Sequence, residues 1–170
     1  MNEKGVTLVE FLMVTVIIGI LLGTIFAGYR GQNKELVLQR VASKMVADIE
    51  KTREMSMSAQ ADNGSYSAGG YGIHFRNTWS NRYAVFADID SNRRRRNNGD
   101  EDVNTIYMEE NILITSLNPS NQLDVVFVPP SPDVYIEGVE GESIIRIAID
   151  TNPSKFKEIV INNIGLIYVR

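Results

Sequence analysis

Cysteine is absent from the 170 residues, histidine and tryptophan occur once each, and proline only five times. Without cysteine there is no disulfide framework, no thiol nucleophile and no thiolate metal site, so the redox compartment stays open. The single histidine, His74, cannot by itself build a multi-histidine metal site or a Cys–His pair. A serine triad would have to recruit it, and no Gly-x-Ser-x-Gly elbow occurs. His74 therefore reads as a structural residue on a strand beside Phe75. The glycines follow neither a P-loop nor a dinucleotide pattern. Glu109 and Glu110 precede Asn111 at a turn, where paired carboxylates are simply solvated. These absences point away from an enzyme. Positive charge is scarce too: 17 basic residues stand against 21 acidic ones, and residues 62–170 hold 10 against 15. A net acidic part has little with which to neutralise phosphates, which argues against nucleic acid as a partner.

Charge of either sign is missing from one long stretch. Residues 6–26 carry a single ionisable group, Glu10, amid Leu8, Val9, Phe11, Leu12 and a run of further apolar side chains. As a helix rising about 1.5 Å per residue, 21 residues match a hydrocarbon core of about 30 Å. A carboxylate inside such a run costs on the order of a few kcal/mol near a bilayer centre and less toward its edge, so it requires a partner. A secretory signal peptide fits poorly, because the polar leader has only five residues and no small-x-small cleavage pattern closes the apolar run.

The order Lys4-Gly5-Val6-Thr7-Leu8-Val9-Glu10, followed by unbroken hydrophobic helix, resembles the N-terminal signal of type IV pilins and pseudopilins. The resemblance implies that a membrane-embedded prepilin peptidase cuts between Gly5 and Val6 and methylates the new amino group. It further implies that Glu10 pairs with the terminal amine of a neighbouring subunit as filaments assemble. An ordinary uncleaved anchor, with Glu10 near the headgroups, is the plainer reading. Basic residues Arg30, Lys34, Arg40 and Lys44 follow the span, whereas Lys4 alone precedes it, and the positive-inside rule would put the C-terminal part in the cytoplasm. The family resemblance implies the reverse: a single-pass protein of the cytoplasmic (inner) membrane, its C-terminal domain outside, later part of a filament in the periplasm or at the cell surface.

Beyond residue 26 hydrophobicity thins without a helix stop. Gly28 and Gly31 soften the junction, and Ala27 stands where many pilins carry a kinking proline. Leu38, Val41, Met45, Ile49 and Thr52 then recur at helical spacing, with Arg40, Lys44, Asp48, Lys51 and Glu54 opposite. A striped helix of this kind covers one face of a globular partner. Its end is expected near Asp62-Asn63-Gly64, which offers a glycine cap.

Alternating aromatic and β-branched residues then predict strands over 69–75, 82–87, 105–108, 112–117, 124–128, 134–136, 143–150, 156–162 and 166–170, the last two closing as a hairpin. Spacings near ten residues, with Asn, Gly and Pro in the turns, predict antiparallel sheets covered by the striped helix. The segments beginning at Tyr71, Tyr83, Val126 and Ile159 together resemble the β-rich domain of the GspH/FimT group of minor pseudopilins and minor pilins. The expected class is thus α+β, divided into a leader (1–5), a transmembrane or filament-core helix (6–26), an amphipathic helix (27–62) and an antiparallel β-domain (63–170). The resemblance implies other pilin or pseudopilin subunits, a prepilin peptidase, a membrane assembly platform and, before assembly, membrane lipid as partners. The contrasting reading is a membrane-tethered β-domain that binds a ligand and never polymerises.

Two loops could carry more. Asp88-Ile89-Asp90-Ser91-Asn92 opens like a calcium loop, with hard oxygen donors at Asp88, Asp90 and Asn92, and residues 100–102 could close it. The EF-hand template then fails: Arg93 stands where the turning glycine belongs and Gly99 where the bidentate glutamate belongs. A solvated loop is the simpler expectation, and no cofactor is required. Arg93-Arg94-Arg95-Arg96 is the one basic cluster, flanked by acids and without interleaved aromatics, which reads as a self-paired surface loop. Trp79, between the first two strands, either packs on the sheet or faces a partner.

Overall fold

The computed structural model describes residues 7–58, 69–95, 100–130, 134–136 and 141–170, with residues 25–33 described by backbone alone. Among these residues there is one α-helix, α1 (Leu8–Met57), and nine strands, an α+β composition. The chain divides into two compact units, residues 1–36 and 37–170, the boundary falling within α1. In the first unit every described side chain from Leu8 to Thr24 is exposed. Among the described residues no helix is long and apolar enough to cross a membrane.

The second unit holds two antiparallel sheets. One has five strands in the order β3-β2-β1-β5-β6, formed by β1 (Tyr71–Arg76), β2 (Arg82–Ala87), β3 (Glu101–Tyr107), β5 (Gln122–Phe127) and β6 (Val134–Ile136). The other has the order β4-β7-β8-β9, formed by β4 (Ile112–Asn118), β7 (Glu142–Ile149), β8 (Asn152–Asn162) and β9 (Ile167–Val169). The expected closing hairpin is present, with Ile159 opposite Val169 and Ile161 opposite Ile167.

The period-2 alternation of strands decides which residues meet. Ile73 and Phe75 of β1, Tyr83 and Val85 of β2, and Leu123, Val125 and Phe127 of β5 point to one side, where they join Ile145, Ile147, Ile159 and Ile161 of the second sheet. Leu38, Val41, Ala42, Met45 and Ile49 of α1 complete this core, as their helical spacing requires. Each fully buried aliphatic side chain there contributes about 1.5–3 kcal/mol.

Polar ties fix the end of α1 against the first sheet. The buried Ser56 hydroxyl donates to the Phe127 carbonyl and accepts the Tyr71 backbone N–H at 3.1 Å. The Tyr83 hydroxyl donates to Asp48 at 2.6 Å, and burial, seconded by that carboxylate, raises the phenol well above its ordinary value. α1 ends at Met57; the turn expected at Asp62-Asn63-Gly64 lies outside the described residues.

Two strands start four residues earlier than the sequence suggests, β3 at Glu101 and β8 at Asn152. β3 begins at Glu101, so Asp102 pairs with Phe86 rather than sitting in a loop. Because β3 is an edge strand, its outward positions accept charge, and a bulge between Val85 and Phe86 restores the register. Acidic residues thus mimicked a loop where the ladder continues.

Candidate functional site

Glu10 has a partner in its own chain. The Thr7 hydroxyl oxygen accepts the Glu10 backbone N–H at 3.3 Å, while Glu10 Oε2 accepts both the Thr7 backbone N–H and the Thr7 hydroxyl at 2.9 Å. This is a reciprocal capping box, which satisfies donors that the first helical turn leaves open. The pattern Thr-x-x-Glu before an apolar run was legible in the sequence and went unread there. Around it, Leu8 is 80% and Phe11 67% exposed, and the apolar side chains on to Leu22 stay about half exposed or more. Gly5 and Val6 lie outside the described residues.

A second constellation follows β2. One carboxylate oxygen each from Asp88, Asp90 and Asp100 lie within 4.8 Å of one another. Asp88, fully buried, accepts the backbone N–H of Asn92 at 3.1 Å through Oδ1 and that of Arg93 at 2.9 Å through Oδ2. These bonds hold Ser91 and Arg93 at φ 57° and 64°, a left-handed conformation that costs L-residues about 1–2 kcal/mol each. Burial pushes the Asp88 carboxyl above its ordinary value, opposed by the Arg93 N–H and reinforced by the Asp100 charge. Of the residues expected as oxygen donors, Asn92 is otherwise engaged: its amide donates to Asp90 and its carbonyl accepts the Arg94 N–H at 2.8 Å. Asp100 stands in its place. Asp102, also considered for this role, turns instead to an arginine.

That arginine belongs to the loop Asp88 organises. Arg95 forms a two-pronged pair with Asp102, Nε and Nη2 each at 2.6 Å, which lowers the Asp102 carboxyl and raises the guanidinium. Its guanidinium lies 4.9 Å from the Trp79 ring centroid, and Arg82 lies over the same ring at 4.7 Å. Arg93 lies over Tyr135 at 5.0 Å. The basic cluster therefore does have aromatic neighbours, supplied by the β1–β2 loop and β6 rather than by adjacent sequence. Arg96 falls outside the described residues.

Beneath this loop is His74, on the side of β1 opposite Ile73 and Phe75. Its Nδ1 meets Asp124 Oδ1 at 2.5 Å, both residues nearly inaccessible, while Nε2 is buried without a hydrogen-bond partner. Trp79 abuts the imidazole edge-on, centroids 5.2 Å apart. Asp124 Oδ2 receives the Arg95 backbone N–H at 3.4 Å, linking the buried pair to the loop above it. Among the described residues no hydroxyl is hydrogen-bonded to the free imidazole nitrogen. Asp124 and Tyr135 gave no local sequence signal, since their partners lie tens of residues away.

Compared with known proteins, the chain matches no family model, no curated protein and no solved structure.

Proposed function

We propose that this chain is a pilin-like structural subunit, a minor pilin or pseudopilin of a type IV pilus or type II secretion filament, and not an enzyme. The observation that carries the reading is the exposed apolar helix start, with Glu10 inside it and Gly5-Val6-Thr7 before it at the offsets a prepilin peptidase requires. Twelve large apolar side chains between Leu8 and Leu22 are exposed, and each one left in water costs on the order of 1 kcal/mol. Such a surface calls for a cover. Read over residues 6–26, the sequence supplies lipid first, as a membrane span, and sister helices afterwards, as a filament core. Trimming after Gly5 frees the Val6 amine, and in a low-dielectric core that cation and a neighbour's Glu10 each offset the cost of burying the other. Assembly by this route needs no cofactor; its partners are a prepilin peptidase, a membrane assembly platform and other pilin-like subunits, with the β-domain outside the cytoplasm.

The capping box favours a second reading. Since Thr7 already satisfies Glu10, the residue would also suit an uncleaved anchor carrying a β-domain that binds a ligand and never polymerises. Two variants separate these accounts. Glutamine can serve in a capping box, so Glu10→Gln keeps the helix start and removes only the charge, whereas Thr7→Ala breaks the box and keeps the charge. As a subunit, the Glu10→Gln protein reaches the membrane and is processed but is excluded from filaments by tenfold or more, while Thr7→Ala incorporates far better. Normal incorporation of Glu10→Gln would refute the assembly role.

A further inference from the structure

Three guanidinium groups rest on aromatic rings in the five-stranded sheet, and their edges differ. The Arg95 edge is filled by Asp102. The Arg82 guanidinium, stacked on Trp79 and 5.8 Å from the Tyr107 ring, donates among the described residues only to the Tyr107 hydroxyl at 3.3 Å, and Arg93 is stacked on Tyr135. Among the described residues neither Arg82 nor Arg93 has a carboxylate within ion-pair distance. Stacking uses the face of a guanidinium and leaves its in-plane N–H fork available for a carboxylate, with less entropy to lose on pairing. Two such forks stand open in a domain that is net acidic.

The complementary charge lies at a corner of the other sheet. Glu109 and Glu110 lead into Asn111, whose carbonyl accepts the Asp150 backbone N–H at 2.8 Å, so the β3–β4 turn that carries two carboxylates lies against the β7–β8 turn that carries the third. Glu110 and Asp150 are exposed without an ion pair among the described residues, and Glu109 has only the solvent-screened Arg40 at 3.5 Å.

We propose that Arg82 and Arg93 receive the carboxylates of Glu109, Glu110 and Asp150 from a second copy of this chain. The proposal takes its setting from the assembly reading, since a contact between two different surfaces of one chain repeats into an open series. A nucleic-acid strand is the poorer occupant, because Trp79 is already engaged by two guanidiniums and an imidazole and offers little for a base to stack on.

The test uses the full-length chain in detergent micelles. Because the chain has no cysteine, one copy carrying Thr78→Cys and another carrying Thr151→Cys hold one thiol each. After mixing and treatment with a short bismaleimide, the heterodimer should exceed both homodimers and fade at high salt. Arg82→Glu with Arg93→Glu in the first copy should lower it about tenfold, as should Glu110→Arg with Asp150→Arg in the second. Combining the two reversals should restore at least half of it. The milder pair Glu110→Gln and Asp150→Asn, on exposed side chains, should lower the yield with an unchanged melting temperature, so that misfolding cannot imitate the result. Yields indifferent to one-sided reversal, or no recovery in the double reversal, would overturn the contact. Processing after Gly5 is not needed for this assay. An unprocessed chain would sink the filament and leave the contact standing, and charge-independent crosslinking would do the opposite.

Discussion

Replacing Ser56 by alanine removes one hydroxyl and strands two backbone groups. The hydroxyl is the donor to the Phe127 carbonyl and the acceptor for the Tyr71 N–H, at a site only 1% exposed, so water cannot substitute without opening the end of α1. Leaving a buried donor or acceptor unpaired costs about 1–3 kcal/mol, and two together set an expected loss of about 2–4 kcal/mol. The nearby Ser58→Ala change is the control, since among the described residues its exposed hydroxyl reaches only the Met55 carbonyl, at 3.2 Å, and its loss should cost less than about 0.5 kcal/mol. Urea unfolding of the full-length chain in micelles, followed by the fluorescence of the single tryptophan, reads both, because Trp79 packs on β1 through His74. The two variants should differ in midpoint with similar slopes. If Ser56→Ala unfolds at the same urea concentration as Ser58→Ala, the hydroxyl does not tie the helix to the sheet.

Gly70 sits at φ 88°, and a Cβ there would lie 2.0 Å from the Phe127 carbonyl oxygen, so Gly70→Ala should cost about 3 kcal/mol or more, measured by the same melt. A loss below 1 kcal/mol would mean that this crossing of β1 and β5 is looser than described. The Glu158 carboxyl is held below its ordinary value by Arg146 first and Arg170 second. Its contribution to stability is therefore complete above the unfolded value of 4.5 and is lost as pH falls through the lower folded value. Glu158→Gln should flatten the fall in stability below pH 4.5 without abolishing it, because Asp102 is lowered in the same sense by Arg95. An unchanged acid limb would show that the arginine pair does not survive in solution.

Local pattern carried much of the fold. Strands at 82–87 and 134–136 fall where their alternation puts them, and Leu38, Val41, Met45 and Ile49 are buried as a single helical stripe. These follow from periods of 2.0 and 3.6, which are properties of short windows. The early start of β3 was hidden because charge at an edge strand looks like charge in a loop. The loop site was illegible for another reason: His74 meets Asp124 across two paired strands, and Arg95 reaches Trp79 and Asp102 over the sheet, contacts that exist only once β1, β5 and β3 are in register. Thr7 was visible but was read for processing rather than for its hydrogen bonds.

The assembly account depends on a trimmed amine meeting Glu10, so it can be tested at the terminus itself. Intact mass and fragmentation spectra of the protein isolated from its native cells should show a chain that begins at N-methylated Val6. A chain that still begins at Met1 would leave Glu10 to its capping box alone and would contradict the proposed polymer chemistry.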